Sequence, residues 1–489
     1  MADYTEDLLT SSRWALLAIP VAWALLFFHL GAVGLLGPDE PRYASIGRAM
    51  HETGDFLTPT LWGVPWFEKP ALLYWLIATG FRLGFSADVA ARMPIALISL
   101  AFGVFFFRRL WREFDIAIAV YSTAILYTSA GWVAYSSLAL ADLPLAACFA
   151  AAMLWSIGWV VRGETDRLPW IGVALGAAAL AKGLVPLVLV LPLVWFTRER
   201  WRQWWRVALP AALVAAPWFI LCWWRNGWRF IEVFFIEHHF RRFFSGELLH
   251  AQPFWYYGPV LCLLLLPWAP LLAGITQRAL YEDPRVRILG AWLGWGFLFF
   301  SLSSGKLPGY LLPLLPAAAI LMAMVAEGWF GAGWALIAAA ALTGLVPLAA
   351  EVLPEAVANG LSRASFHMGA VRLALIVAVF AGLLAALREW KSTRTSTVLF
   401  VALMATLGIV YVKRVAYPVL DAQVSARALW RSIEARRSSI CLGNMHRNWR
   451  YGLNYYAGTP LVDCQLIEKP LKLEQRDGDG APKLWLPGR

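Results

Sequence analysis

Apolar residues fill this chain in long stretches separated by short polar segments, with almost no strict alternation. The stretches lie near 14–36, 90–107, 115–132, 138–161, 168–181, 183–197, 206–224, 255–275, 287–303, 311–327, 331–350, 369–387 and 396–412. A helix rises about 1.5 Å per residue, so about twenty residues cross the roughly 30 Å hydrocarbon core of a bilayer. The pattern predicts thirteen membrane spans. A further run, 70–85, is short for a crossing and carries Arg82 near its end.

Charge settles whether that run counts. Five short segments are rich in basic residues: Arg108, Arg109 and Arg112; Arg162 and Arg167; Arg198 to Arg206; Arg278 to Arg287; and Arg388, Lys391 and Arg394. Basic loops collect on the cytoplasmic side. With thirteen spans and the N-terminus inside, an even number of crossings separates each basic loop from the next, so all five share one side. Adding 70–85 would break this, so it is expected to lie along the outer interface as an amphipathic helix. The outer face then holds 37–89, 225–254, 304–310 and the chain from about 413.

The last segment changes character. Ser438–Leu442 and Pro460–Cys464 look like short strands, and Trp449–Tyr456 between them looks like a helix. The expected fold is an all-α polytopic membrane unit over 1–412, with interfacial helices, followed by a small α/β domain outside the membrane over 413–489. Cys148, Cys222 and Cys262 fall in apolar runs as ordinary core residues. Cys441 and Cys464 would face an oxidising compartment, where a disulfide and two free thiols are both open.

Composition agrees: 60% of the 489 residues are hydrophobic, 28 are Trp and 15% are charged. The net charge of +11 could suggest a nucleic-acid partner, but the basic residues sit in short inter-span loops, and topology accounts for them better. The acidic N-terminus and a first run long enough to span argue against a cleavable signal peptide. Without a Walker A motif or dinucleotide fingerprint, no nucleotide cofactor is expected, and a transferase here would draw on a lipid-linked donor.

The unusual chemistry lies on the outer side. Asp39 and Glu40 follow the first span, with Arg42 close behind, and Glu68 and Lys69 come about thirty residues later. Ionisable groups beside a bilayer are costly and usually functional. Asp39 suits a general base, a metal ligand or a partner for a cationic substrate group, and could also cap the following helix. Arg42, Lys69 and Lys182 offer positive charge for phosphate. Asp142 sits near the outer end of its span, where a carboxylate needs a partner, structural or catalytic. The 225–254 segment carries His238, His239 and His250, which with Glu237, Glu68 or Asp39 could hold a divalent ion (Zn²⁺, Mg²⁺ or Mn²⁺), while its Arg241 and Arg242 suit lipid phosphates. Tyr310 closes the Lys306–Tyr310 turn, where a phenol can meet a phosphate oxygen or anchor the interface.

Asp-Glu-Pro-Arg-Tyr-Ala, Phe-Glu-Lys-Pro, Ala-Lys-Gly, His-Phe-Arg-Arg-Phe, Pro-Phe-Trp-Tyr-Tyr and Lys-Leu-Pro-Gly-Tyr occur in this order over roughly 10–330. Together they resemble the lipid A aminoarabinose transferases and their protein-mannosyltransferase-like relatives among the GT-C membrane glycosyltransferases. The resemblance implies a GT-C fold of thirteen spans with a periplasmic domain in a bacterial inner membrane. It also implies an undecaprenyl-phosphate-linked sugar donor and an acceptor such as a lipid A phosphate. By motif, Asp39 would be the acid near the reacting centre, Arg42 and Lys69 would contact phosphate, and Tyr310 and Arg242 would help hold the donor. Glu68 and His239 would be metal-site candidates, and Asp142 and Lys182 would line the cavity. Glycosylation of proteins or envelope polymers, and flipping of the lipid-linked sugar without chemistry, are the alternatives.

Overall fold

The computed structural model describes residues 19–241, 252–360, 363–391, 393–476 and 480–485, with the side chains of 238–241 and 391 outside that description. Among them, seven helices are long and apolar enough to cross a bilayer: Ala87–Glu113, Asp142–Arg162, Trp205–Asn226, Pro308–Gly328, Ala332–Asn359, Met368–Trp390 and Arg394–Gln423. Two more runs are bent pairs, Ile116–Thr128 with Ala130–Ser136 at 65° and Phe254–Leu264 with Ala269–Thr276 at 119°. The shorter apolar helices Leu168–Lys182 and Val185–Phe196, the helix Pro284–Leu302 and helical residues 19–26 occupy the remaining expected runs. Every run thus holds helix, but several are shorter or more broken than apolarity alone predicts.

The breaks have local causes. A helix broken inside a membrane must find new partners for its freed backbone groups. Here the two breaks satisfy each other: Ala130 N–H donates to Leu266 O at 2.9 Å, and Trp268 Nε1 donates to Thr128 Oγ1 at 2.8 Å. Pro267, lacking an N–H, lies in the second break. Met368–Trp390 has only 22% of its most apolar window buried within the protein, and Phe380 and Leu375 are exposed. Apolar side chains covering all sides of a helix require a lipid solvent. The protein is integral to a membrane.

Between residues 39 and 82 the chain folds over one end of this bundle. The helix Asp39–Thr53 leads to a two-stranded hairpin, Thr60–Leu61 with Val64–Pro65, and then to the helix Leu72–Arg82. Eleven residues make that last helix about 16 Å long, too short to span. The segment 225–254, expected as a loop, is helical through Arg241. The cause is apolar spacing: Phe230 and Phe234, four apart, are both buried with Phe67 and Trp218.

The helix Arg394–Gln423 runs unbroken past 412, so the sequence boundary at 413 falls inside a helix. Beyond it, Ile440–Leu442, Leu471–Glu474 and Lys483–Trp485 form a three-stranded sheet, parallel then antiparallel. Pro460–Cys464, expected as a strand, makes only a single bridge, Leu442 to Asp463. The later segment Leu471–Glu474 forms the parallel ladder on the other edge of Ile440–Leu442. Cys441 and Cys464 are joined in a disulfide. It closes a loop with a sequence separation of 23, for which chain entropy gives a stabilisation of about 3 kcal/mol. Replacing both by serine should therefore lower the melting temperature and expose 440–476 to protease, measurable on purified protein with and without reductant.

Two faces of the helix Arg447–Ala457 tie this unit to the bundle. Trp449 and Leu453, four apart, pack on the small unit's own core, while Tyr451, Tyr455 and Tyr456 pack on the main core. Arg427 adds polar anchors, donating to Asp88 at 2.7 Å and to the carbonyls of Gly31 and Ala32 at 2.9 and 2.7 Å.

Candidate active site

Asp39 and Glu40 open the Asp39–Thr53 helix, where its N-terminal dipole favours acids. Asp39 makes no capping hydrogen bond; it is the first helical residue, after Pro38. The neighbours then part. Glu40 is buried and accepts two hydrogen bonds from Arg92, at 2.9 and 2.6 Å, and others from Leu36 N and Ala139 N, each at 2.8 Å. Asp39, with its side chain 38% exposed, turns to the other side and pairs with Arg42 one turn later.

Arg42 is the hub of that outer cluster. Its Nη2 bonds Asp39 and lies 2.9 Å from Glu68, which in turn is 3.4 Å from Lys69. Burial, the largest single effect, would lower the affinity of Arg42 for its proton; the charges of Glu68 and Asp39 and the neighbouring tyrosines together outweigh it, and the guanidinium stays charged. Burial, and after it the Glu68 charge, push the Tyr43 and Tyr74 phenols well above the usual tyrosine range, so both remain neutral donors at any physiological pH. Glu68 reaches the cluster because the hairpin returns the chain over the helix. That return depends on a two-residue turn with Trp62 at φ 52° and Gly63 at φ 83°. Glycine takes this conformation readily, but a tryptophan there costs on the order of 1 kcal/mol.

A second cluster lies beside the first. Glu40 bonds Ala139 N, and three residues further on Asp142 accepts from Lys182 Nζ at 2.5 Å. The Lys182 ammonium sits 4.6 Å from the centre of the Tyr310 ring. The Lys306–Tyr310 turn is held from behind by Tyr257 Oη, which donates to Leu307 O at 3.1 Å, and by buried Lys306, which donates to Gln252 O at 3.0 Å. Burial lowers the Lys306 ammonium below the usual lysine range. A Cβ on Gly309 would lie 2.7 Å from the Tyr135 ring and 2.8 Å from Asp142 Oδ1. Gly309→Ala should therefore displace Tyr310 and lower activity about tenfold or more without loss of membrane insertion, read as initial rate per folded protein.

The structure thus joins Asp39, Arg42, Glu68 and Lys69, and separately Asp142, Lys182 and Tyr310. Arg242 and the His239 side chain lie outside the described residues. The expected metal pair, Glu68 with His239, is therefore described only in part: among the described residues no three His, Cys, Asp or Glu side chains converge, and Glu68 lies beside two cations. Sequence reasoning missed Glu40 as a buried partner for Arg92, and missed Tyr74, Trp66, Tyr135 and Tyr451 near the clusters. Tyr135 could have been found, since the short gap 133–137 falls on the outer side in the span count. Tyr451 carried no such signal.

A family model described as dolichyl-phosphate-mannose-protein mannosyltransferase matches residues 68–224. The chain is 35% identical over 366 residues to an undecaprenyl phosphate-alpha-4-amino-4-deoxy-L-arabinose arabinosyl transferase of Pseudomonas paraeruginosa (strain PA7), a match covering 67% of this chain and 65% of that relative. The match therefore spans just under two thirds of that relative's length. A second protein of that name, arabinosyl transferase 1 of Pseudomonas fluorescens (strain Pf-5), is 32% identical over 91% of this chain and 87% of its own length. The crystal structure of ArnT from Cupriavidus metallidurans bound to undecaprenyl phosphate superposes with a TM-score of 0.76 at 24% identity, covering 96% of this chain and 87% of that one. The arabinosyltransferase EmbB from Mycobacterium smegmatis shares the fold more distantly, with a TM-score of 0.51 at 12% identity over 92% of this chain and 43% of that one. With nearly the full length of the Pseudomonas fluorescens relative matched, the chain belongs to the undecaprenyl phosphate-aminoarabinose arabinosyl transferase family and has the GT-C glycosyltransferase fold.

Proposed function

We propose that this protein transfers 4-amino-4-deoxy-L-arabinose from undecaprenyl phosphate to a lipid A phosphate, at the periplasmic face of a bacterial inner membrane. The observation that carries the reading is the outer cluster: two cations, Arg42 and Lys69, around Glu68, beside a half-exposed Asp39. Such an arrangement suits a phosphate-bearing lipid next to a second, smaller polar group. The names of the relatives point to the same donor.

The chemistry is an in-line displacement with inversion. An acceptor phosphate oxygen forms a bond to the anomeric carbon while the bond from that carbon to the undecaprenyl phosphate oxygen breaks, and the electron pair leaves with the phosphate. Arg42 and Lys69 stabilise that growing charge from one side, with Tyr310 and Arg242 assigned to the donor by motif. Charges fixed in place before the reaction need no reorganisation when it occurs. A phosphate acceptor is already anionic, so no proton has to be removed from it. Asp39, held by Arg42, then orients the acceptor or the ammonium of the sugar; against a hydroxyl acceptor it would serve as general base. Asp142 and Lys182 neutralise each other and hold Tyr310 in place. Glu68 serves as counter-charge to Arg42 and Lys69, and no step is routed through a metal.

Mass spectrometry of lipid A tests the reading in cells that make the lipid-linked sugar, with and without this gene. Aminoarabinose on lipid A and undecaprenyl phosphate released in step with it are expected. Unmodified lipid A with a glycosylated protein or polymer would move the acceptor elsewhere. Sugar-lipid crossing the membrane without release of undecaprenyl phosphate would replace transfer by transport.

A further inference from the structure

Three aromatic rings surround the Arg42 guanidinium: Tyr43 and Trp66 at 5.4 Å and Tyr451 at 5.6 Å from its carbon. A cation within about 6 Å of a ring centre gains from the negative face of the ring. Two of these rings belong to the segment that carries Arg42 and Glu68. The third comes from the C-terminal unit, on the helix Arg447–Ala457. The ring of Tyr451 also meets Trp62, with centres 5.7 Å apart. Trp62 stands at the strained left-handed position of the hairpin turn, so two unrelated parts of the chain bring aromatic rings to the same place.

The carboxylates do not satisfy Arg42 fully. Both Asp39 and Glu68 bond the same Nη2, while the buried Nε has no hydrogen-bond partner. Trp66 Nε1, also buried, has none either. Two buried donors side by side are thus without partners, a state that is rare and calls for an explanation. The direction of the Nε–H depends on the plane of the guanidinium, and the three rings lie around that group.

We infer that Tyr451 is a positioning residue of the active site: its ring fixes the plane of Arg42, so the C-terminal unit completes the transfer site rather than standing apart from it. The helix is well placed for this. Arg48 donates to Tyr455 O at 2.9 Å and lies 4.1 Å from the Tyr455 ring centre, and Tyr455 Oη donates to Ala87 O at 2.8 Å. Tyr456 Oη bonds Asp88 at 2.6 Å and accepts from Leu35 N at 2.9 Å, at the entry to the Asp39 loop. With Tyr455 and Tyr456 clamped one turn away, Tyr451 keeps a constant height above Arg42.

This inference rests on the transferase reading, and the test separates the two. Transfer from undecaprenyl-phosphate-linked aminoarabinose to lipid A is measured on the purified full-length protein for Tyr451→Phe, Tyr451→Leu and Arg42→Ala. Phenylalanine keeps the ring face, whereas leucine fills much of the space without it. Tyr451→Phe should stay within about twofold of the parent, while Tyr451→Leu should lose about tenfold in kcat/KM at an unchanged melting temperature. Tyr451→Met repeats the comparison should the leucine variant not accumulate. Equal activity of the phenylalanine and aliphatic variants, whether both high or both low, would overturn the role of the ring. If Arg42→Ala retains normal transfer, the site assignment itself fails. If Arg42→Ala is inactive and Tyr451→Leu normal, only this inference falls.

Discussion

Lys69→Ala and Asp39→Asn are each expected to lower transfer about a hundredfold or more while leaving the protein inserted and folded. Lys69 lies beside Glu68 and, in the proposed reaction, meets the phosphate on which charge grows as the sugar leaves. Alanine removes that charge from a partly buried site where water replaces it poorly. Asp39→Asn keeps nearly the same shape but gives up the charge that bonds Arg42 and faces the cleft. Because Asp39 is only loosely covered, its loss should leave stability little changed. The check is the initial rate at saturating donor together with a melting curve for each variant. Near-normal rates in either would remove that residue from the reaction.

Arg92→Leu should have the largest effect on stability. The Arg92 side chain is almost fully buried and donates to both Glu40 oxygens and to the carbonyls of Leu30, Val33 and Gly34, the last three at 3.2, 2.6 and 3.0 Å. Removing it leaves the Glu40 carboxylate buried without its counter-charge and orphans three carbonyls. Breaking a buried pair from one side typically costs about 3–5 kcal/mol. We expect poor accumulation in the membrane and a lowered melting temperature. The double variant Glu40→Gln, Arg92→Leu should recover part of the loss, since no lone charge remains. An undiminished melting temperature in the single variant would show that Arg92 does not hold the 30–40 segment.

These two predictions mark how the acidic pair divides its work, which the sequence alone did not show. Asp39 and Glu40 are neighbours of similar chemistry, and the sequence showed no partner that would set Glu40 apart. One helical step separates their directions by about 100°, and the partners waiting on each side differ. Arg92 lies 52 residues from Glu40, on the helix behind it. Glu68 is expected, with His239, as a metal candidate, and the His239 side chain lies outside the described residues. In the folded protein Glu68 lies 2.9 Å from Arg42 and 3.4 Å from Lys69. Side-chain type alone says nothing of such pairings, because an ion pair and a metal use the same carboxylate.

What the sequence determined by itself was the solvent of each segment; the side of the membrane on which the chemistry falls it gives as an expectation. A helix of about twenty apolar residues satisfies its own backbone, so its preference for lipid is a local property that can be read from the chain. The expected side of each loop comes from charge counts along the same chain. Asp39, Asp142, Lys182 and Tyr310 stand out as candidates for a similar reason, since each sits at the end of an apolar run, whereas Glu68 and Lys69 precede the short helix Leu72–Arg82. Only the tertiary structure decided which charges meet and what holds them. The Arg42 cage depends on Tyr451, and the neighbouring bond from Arg48 to Tyr455 O crosses 407 positions. A contact of that kind has no local signature: it exists because the C-terminal helix has one face for its own core and another for the bundle, which no single segment can specify.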